Sequence, residues 1–314
     1  MSSYDMTKFS TESWENNVRV SKYNKRKILF HPLYNKTKFV KNIYQINMGK
    51  ELDLNNLQTF TEKLNGYKVN KILMKKLAKY ADKHDVRQYV KEKIGSKYLI
   101  KEYFCKDKIT VEDLEKLPNG FVLKTTKGSG TNFIVKDKEH TDLQKVCDYM
   151  NYLTKLEYGY LHGEFMYNYG KNRILAEELL TDSENHIPDD LKAFCFQDNE
   201  GHKKKILYVE RVIGDERARI MFDENWRPVN YDSNFDKLDE KIPRPQNLKK
   251  IVEIMDILSD DFNFVRVDLF VLNNKIYFGE LTFIPTAGYL KFTNPAHDLE
   301  WGSFIGNNKE QSIQ

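Results

Sequence analysis

The stretch Phe264-Val-Arg-Val-Asp-Leu-Phe-Val271, answered by Ile276-Tyr-Phe-Gly-Glu-Leu-Thr282 across Asn273-Asn-Lys275, decides how this chain reads. Apolar and polar residues alternate along both runs, the period of a half-buried strand, and turn formers separate them, so the two form a β-hairpin. With a three-residue loop over Asn273–Lys275, Asp268 stands opposite Glu280 and Arg266 opposite Thr282. All four share one face of the ribbon, because strand side chains repeat every two residues. Val265, Val267 and Leu269 take the other face, against Phe283, Leu281 and Gly279, and suit a core. A two-residue loop would carry Glu280 to the opposite face. Facing carboxylates repel by roughly 0.2–1 kcal/mol, so a positive group is expected between them. An all-oxygen pair suits a hard divalent ion such as Mg²⁺, bridged to substrate phosphates, better than Zn²⁺. Arg266 lies one pleat away and can neutralise charge in the same place. The competing reading leaves the hairpin in solvent with its charges hydrated.

Upstream, the strand Phe121-Val-Leu-Lys-Thr125 runs into the small-residue loop Lys127-Gly-Ser-Gly-Thr-Asn132 and a second strand, Phe133-Ile-Val135. Gly128, Ser129 and Gly130 would let backbone N–H groups approach phosphate oxygens, with the Lys124 ammonium adding a point charge; an ordinary turn has the same composition. The loop is neither a P-loop nor a dinucleotide fingerprint, whose third glycine is here Phe133. Lys192 opens the strand Lys192-Ala-Phe-Cys-Phe196, either aimed rigidly at a phosphate or covering apolar surface with its stem. That strand and Lys205-Ile-Leu-Tyr-Val-Glu210 bracket the turn Asp198-Asn-Glu-Gly201. Residues 51–117 read as helical, with Asp85 as N-cap and Gln88 at the third helical position of one helix. Thr141 opens another, whose Leu143, Val146, Cys147, Met150 and Leu153 share a face, and Ile251, Val252, Met255 and Leu258 mark a third. Strand runs separated by helices without regular alternation predict an α+β architecture.

The chain has 314 residues, 50 Lys/Arg against 46 Asp/Glu. Nine of those cations lie between Asn16 and Lys50 with no acid among them, which leaves the rest of the chain net negative. Tyr23, Phe30, Tyr34, Phe39 and Tyr44 are interleaved with this charge. The stretch is either a solvated segment or a dock for phosphates or an anionic membrane surface. No nucleic-acid-binding signature accompanies it, so nucleic acid is not an expected partner. Three cysteines without a C-x-x-C pair exclude a disulfide scaffold and a cysteine-built zinc site. No run approaches the ~18 apolar residues of a membrane span. A cytoplasmic protein is expected, with peripheral contact at the inner face of the membrane as the arm's alternative role.

Taken in order, these elements resemble the ATP-grasp superfamily, and more closely its TupA-like branch, named for a teichuronopeptide biosynthesis protein. The resemblance rests on ADKHDVRQYVKEKIG at 81–95, FVLKTTKGSG at 121–130, ILAEELL at 174–180, PDDLKAFCF at 188–196 and FVRVDLFVLNNKIYFGELTFIP at 264–285, and spans about 56–303. It implies two α+β lobes clamping ATP: a basic aromatic arm at 1–50, a helical region at 51–117, lobes at 118–182 and 183–303, and a polar tail at 304–314. Lys83 and Lys124 would contact the α- and β-phosphates, with Gly128, Ser129 and Gly130 as a mobile lid. Main chain at Glu178 and Leu180 would read adenine, beside Glu177, and Glu184 is the candidate for ribose. Lys192 would reach the phosphates from the second lobe. Asp268 and Glu280 would hold Mg²⁺, with Thr282 where the wider superfamily has Asn. Arg266 and Arg219 would stabilise developing charge. Two positions depart from the branch: Pro285-Thr-Ala-Gly288 replaces Pro-Gly-Ser-Gly, and Leu191 replaces Tyr.

The implied activity is ATP-dependent ligation of a carboxylate to an amine through an acylphosphate. The expected substrates are a sugar carboxylate (a uronic acid) and an amino acid or other amine, in assembly of bacterial surface polysaccharide or capsule at the cell envelope. The alternatives are phosphotransfer to a hydroxyl, or a nucleotide-dependent adaptor docked on membrane by the arm. A sugar-nucleotide glycosyltransferase is disfavoured, since no D-x-D occurs.

Overall fold

The computed structural model of the chain describes residues 35–184, 187–188, 190–213, 216–231, 236–237 and 242–306. It opens on four helices, α1 (Lys36–Met48), α2 (Phe60–Val69), α3 (Lys71–Ala81) and α4 (Val86–Lys93). Asn35 caps α1 by accepting from the N–H groups of Thr37 and Lys38, and Gly49, at φ +72°, ends it. Phe39, Val40, Ile43 and Tyr44 of α1 are buried. The C-terminal part of the expected basic arm is therefore a core helix: its cations ride the outer face and its aromatics anchor the inner one. The arm's first half, with Arg19 to Lys27, and the tail at 307–314 lie outside the described residues.

The helical reading of 51–117 is broken by one strand, and resumes with the short helix at Val111–Glu115 capped by Thr110. Residues 102–106 form a strand, β1 (Glu102–Lys106), which pairs antiparallel with β4 (Ile174–Glu178). After α5 (Val111–Glu115) come β2 (Phe121–Thr125), β3 (Asn132–Val135), α6 (Leu143–Leu153) and α7 (Gly159–His162). The first sheet has the order β1-β4-β2-β3 and a small core of its own around Phe121, Leu123, Val146, Met150 and Ile174. Asp142, rather than Thr141, caps α6. Likewise Asp85 makes no cap bond for α4; Asp82 Oδ1 instead accepts from the N–H groups of His84 and Asp85.

The second sheet contains β5 (Asp190–Gln197), β6 (Lys203–Ile213), β7 (Glu216–Phe222), β8 (Asp236–Lys237), β9 (Phe264–Leu272) and β10 (Lys275–Thr282), in the order β10-β9-β5-β6-β7-β8. Helix α8 (Leu248–Ser259) packs on β5 and β9, burying Ile251, Met255 and Leu258. Trp301 of α9 (Pro295–Ser303) is fully buried, with ring centroids 5.3 Å from Phe60 of α2 and 5.0 Å from Phe194 of β5. Aromatic contacts of this kind join the N-terminal helices to the second sheet in one large core, separate from that of the first sheet. Among the described residues no helix is long and apolar enough to cross a membrane.

Candidate functional site

The site starts from the β9–β10 hairpin. Its loop has two residues, not three: Lys275 pairs with Leu272, and Asn273 and Asn274 both take left-handed backbone, φ +50° and +61°. Such a loop alone would turn Glu280 to the wrong face. A β-bulge between Phe278 and Glu280 absorbs one residue, and beyond it Glu280 faces Asp268 and Thr282 faces Arg266. Gly279 is the residue absorbed. A Cβ there would lie 3.0 Å from the Asp268 carbonyl oxygen, so the bulge needs a residue without one.

The positive group between the carboxylates is Arg266. Its Nε and Nη2 donate to Asp268 Oδ1 and Oδ2, both at 2.6 Å, and Nη2 also donates to Glu280 Oε1 and Thr282 Oγ1 at 2.9 Å. Thr282 Oγ1 in turn donates to Glu280 Oε1 at 3.1 Å. On the neighbouring strand Lys192 pairs in register with Asp268. Its Nζ lies 2.5 Å from Asp190 Oδ2 and 3.9 Å from Glu210 Oε1, and Arg219 Nε donates to Glu210 at 2.6 Å. Burial pushes the Asp268 carboxyl up to about 7 even against the pull of Arg266 and Lys192. Loss of water also works to raise Glu280, but Lys83 and then Arg266 hold it below the usual carboxylate range. For Lys192, burial opposes the charged form, yet Asp190 and Asp268 keep its pKa raised.

Opposite this acid-rich face stands the first lobe's turn. Gly128 and Gly130 adopt φ of +83° and +67°; any side chain at 128 would strike the Tyr158 ring, and Ser129 Oγ bonds the Tyr158 hydroxyl at 2.6 Å. Lys83 spans the two lobes. Its Nζ donates to the Gly128 carbonyl at 2.6 Å and lies 3.7 Å from Glu280 Oε2.

Between these walls is a cavity of about 200 Å³ lined by Lys83, Ser129, Gly130, Lys192, Arg219, Arg266, Asp268 and Glu280, among others. It is smaller than the roughly 300–1,000 Å³ of sites that enclose a whole small ligand. Its charged lining suits a phosphate tail better than a base.

The remaining expected site residues do not line it. Lys124 is buried and donates to Glu177 at 2.8 Å. Glu178 is exposed at the end of β4 with its N–H given to the Lys101 carbonyl, Leu180 is half-buried, and Glu184 is exposed on a loop. The structure therefore brings Lys83, Lys192 and the acidic groups together, and leaves Lys124, expected on the phosphates, outside the lining with the base- and ribose-directed residues. Sequence reading missed Arg87, which binds Glu177 at 3.0 Å from the helical region, and no local signal marks it. It also missed Asp190 and Glu210. Asp190 was visible, two residues before Lys192 on the same strand face.

The donor set fits a hard divalent cation. Two carboxylates and a hydroxyl, all oxygen, are already gathered around one guanidinium nitrogen at 2.6–2.9 Å.

Two antiparallel sheets closing glycine-turn amides and lysines against a carboxylate-bearing hairpin define the ATP-grasp class of fold. The chain belongs to the TupA-like ATP-grasp family, whose family model matches residues 62–306. Among solved structures it is similar to an ADP complex of N5-carboxyaminoimidazole ribonucleotide synthetase, at 11% identity, covering 66% of this chain and 46% of that one, with a TM-score of 0.41. It is similar also to the D-alanine–D-alanine ligases of Bacillus anthracis (14% identity, 71% and 59% covered, TM-score 0.39) and Helicobacter pylori (15% identity, 75% and 61% covered, TM-score 0.39). The chain thus spans about half to three-fifths of the length of these structures. No curated protein matches it.

Proposed function

We propose that the protein is an ATP-dependent carboxylate–amine ligase that forms an amide through an acylphosphate and releases ADP and phosphate. The observation that carries this reading is the Arg266–Asp268–Glu280–Thr282 cluster set against Lys83 and the Gly128–Gly130 turn across one small charged cavity.

A carboxylate is a weak electrophile and its oxygen a poor leaving group, so it is activated by taking the γ-phosphoryl group of ATP. That transfer asks for positioning and charge stabilisation rather than for a protein nucleophile. Lys83 and Lys192 bind phosphate oxygens from the two sides. Arg266 stabilises charge on the transferred group and on the tetrahedral centre formed when the amine attacks, with Arg219 behind it. Ser129 and the turn amides close over the phosphates and exclude water from the acylphosphate. Asp268, Glu280 and Thr282 would hold Mg²⁺, which supplies Lewis-acid neutralisation of phosphate charge when bound. Lys124, held by Glu177, is assigned to the α- and β-phosphates, and Glu177, Glu178 and Leu180, with Glu184 beyond them, serve the nucleoside.

The family supports a sugar carboxylate such as a uronic acid and an amino acid or other amine as substrates, in bacterial surface polysaccharide assembly. A panel of uronic acids and amines, assayed for ADP release and for a product lighter by one water than its substrates, tests this. ADP with a phosphorylated sugar instead would make the enzyme a phosphotransferase, and no ADP from any pair would refute ligation.

The basic segment ahead of α1 is proposed to touch anionic membrane. Removing residues 1–34, and not 1–50, is the fitting test, since α1 belongs to the core. Salt-sensitive binding to anionic vesicles should fall, and equal binding would end the idea.

A further inference from the structure

A second concavity, of about 620 Å³, lies where α3 meets the first sheet. Lys75 and Lys79 enter it one helical turn apart, Lys127 from the residue before the glycine turn, and Lys171 and Arg173 from the approach to β4. Against these five cations stand two carboxylates, Asp85 and Asp107. Both acids are already paired: Asp85 lies 2.7 Å from Arg173 and Asp107 lies 2.6 Å from Lys171. Among the described residues Lys75 and Lys79 are left without a carboxylate partner in the pocket, while Asp82 and Asp85 favour the charge of Lys127.

Three features argue against a merely solvated face. Lys127 is buried, with 4% exposure, and its ammonium donates to the Tyr169 carbonyl rather than to a carboxylate; burial pushes its pKa down. The Arg173 Nε is buried with no hydrogen-bond partner among the described residues. Helix α3 contains no acid to relieve repulsion between lysines on adjacent turns. The volume falls within the range of pockets that take small ligands, and Lys75, Lys79, Lys127, Lys171 and Arg173 set charged groups around its apolar wall of Ala78 and Tyr169. Lysines bind as point charges, which suits the compact, multiply charged phosphate group.

We propose that this pocket is a second anion site, distinct from the ATP cleft, that takes a phosphate-bearing ligand. The ligand is either a free phosphate ester or the head group of a phospholipid. The pocket borders the lid, because Lys127 immediately precedes Gly128 and the Lys83 N–H donates to the Thr126 carbonyl. A phosphate held there sits beside the segment that closes over ATP.

The test titrates inorganic pyrophosphate, by calorimetry, into the full-length protein saturated with ADP under chelating conditions. One further equivalent should bind, weakening as salt is raised. In K75Q/K79Q, which changes two exposed helix positions, the affinity should fall roughly ten- to hundredfold, while the ADP titration stays unchanged. Lys171→Gln, on the facing loop, should weaken binding independently. Co-sedimentation with phosphatidylcholine vesicles, with and without phosphatidylglycerol, assigns the source. Vesicle binding lost in K75Q/K79Q identifies a lipid head group, and pyrophosphate binding without vesicle binding identifies a soluble ester. Neither form of binding in the wild type, equal binding in K75Q/K79Q, or loss in Lys192→Gln alone would overturn the proposal. An ADP titration that fails while pyrophosphate still binds would count against the ligase reading and leave this one standing.

Discussion

The two lobes hold their buried charges in different proportions. In the first, one carboxylate, Glu177, receives two cations, Lys124 at 2.8 Å and Arg87 at 3.0 Å. In the second, two facing carboxylates, Asp268 and Glu280, share the single guanidinium of Arg266. The first arrangement is matched, since Arg87 also lies 3.0 Å from Glu102, and its Glu177 is fully committed. The second has negative charge to spare: Asp268 is only 3% exposed, yet its one strong partner also serves Glu280 and Thr282. Burying charge in this way costs stability unless it is matched. The mismatch lies in the second lobe, on the cavity wall, as expected of a wall that meets a polyphosphate through its counter-ion. Stability should therefore depend most on the saturated pair, and turnover on the unsaturated one.

Asp268→Asn is the strongest way to break that contrast. It removes one of the two facing carboxylate charges and should lower ADP release by at least about a hundred- to a thousandfold. Arg266 keeps Glu280 and Thr282, so the fold should survive, with an unfolding free energy lower by about 1–3 kcal/mol. Undiminished turnover would remove Asp268 from the site. Glu177→Gln should do the reverse. It leaves the buried Lys124 without its carboxylate while Arg87 keeps Glu102, a loss on the order of 3–5 kcal/mol in chemical denaturation. The catalytic rate of the surviving folded fraction should change less than in Asp268→Asn. A Glu177→Gln protein as stable as the wild type would show that the first lobe's pair is not saturated after all.

How much of this was legible in the sequence depends on what a local pattern encodes. Period-two alternation gave both strands of the hairpin and the facing of Asp268 with Glu280. The loop was misread by one residue because Asn273 and Asn274 tolerate left-handed backbone and close the turn by themselves. The bulge restored the register. Its one sequence mark was Gly279, which reads equally as a core-facing strand residue. Gly279→Ala should therefore push Cβ onto the Asp268 carbonyl, cost about 1–3 kcal/mol and swing Glu280 away from Arg266; thermal melting and turnover should fall together. Strand β1 and the burial of α1 were missed for a different reason. Glu102-Tyr-Phe-Cys-Lys106 becomes a strand through its partner β4, which is more than 60 residues away, and nothing in the run itself announces that partner. Phe39 and Tyr44 looked like the aromatics of a docking arm because the excess of lysines hid their helical spacing. Arg87 was invisible, since its role is set by tertiary contacts with Glu177, Glu102 and the Ile100 carbonyl.

Lys83 tests the comparison at its seam, and there the expected effect is smallest. It is the side chain that touches both regimes, donating to the lid at the Gly128 carbonyl and lying 3.7 Å from Glu280 in the acid-rich cluster. Lys83→Gln removes the charge and keeps a donor, so the buried pairs of both lobes stay as they are. Little stability should be lost, within about 1 kcal/mol, because the longer contact is a weak one and the shorter bond can be remade. What should change is closure. Without the ammonium the lid has one tie fewer to the second lobe, and amide hydrogen exchange at Gly128 and Gly130 should quicken while exchange in β9 stays slow. Nucleotide should bind roughly tenfold more weakly, the worth of one charged hydrogen bond to phosphate. If exchange quickened equally in both lobes, Lys83 would be a structural strut and the division of labour between the walls would be wrong. If only the lid loosened, Lys83 would be the tie that holds the glycine turn to the acid-rich wall until a nucleotide takes its place between them.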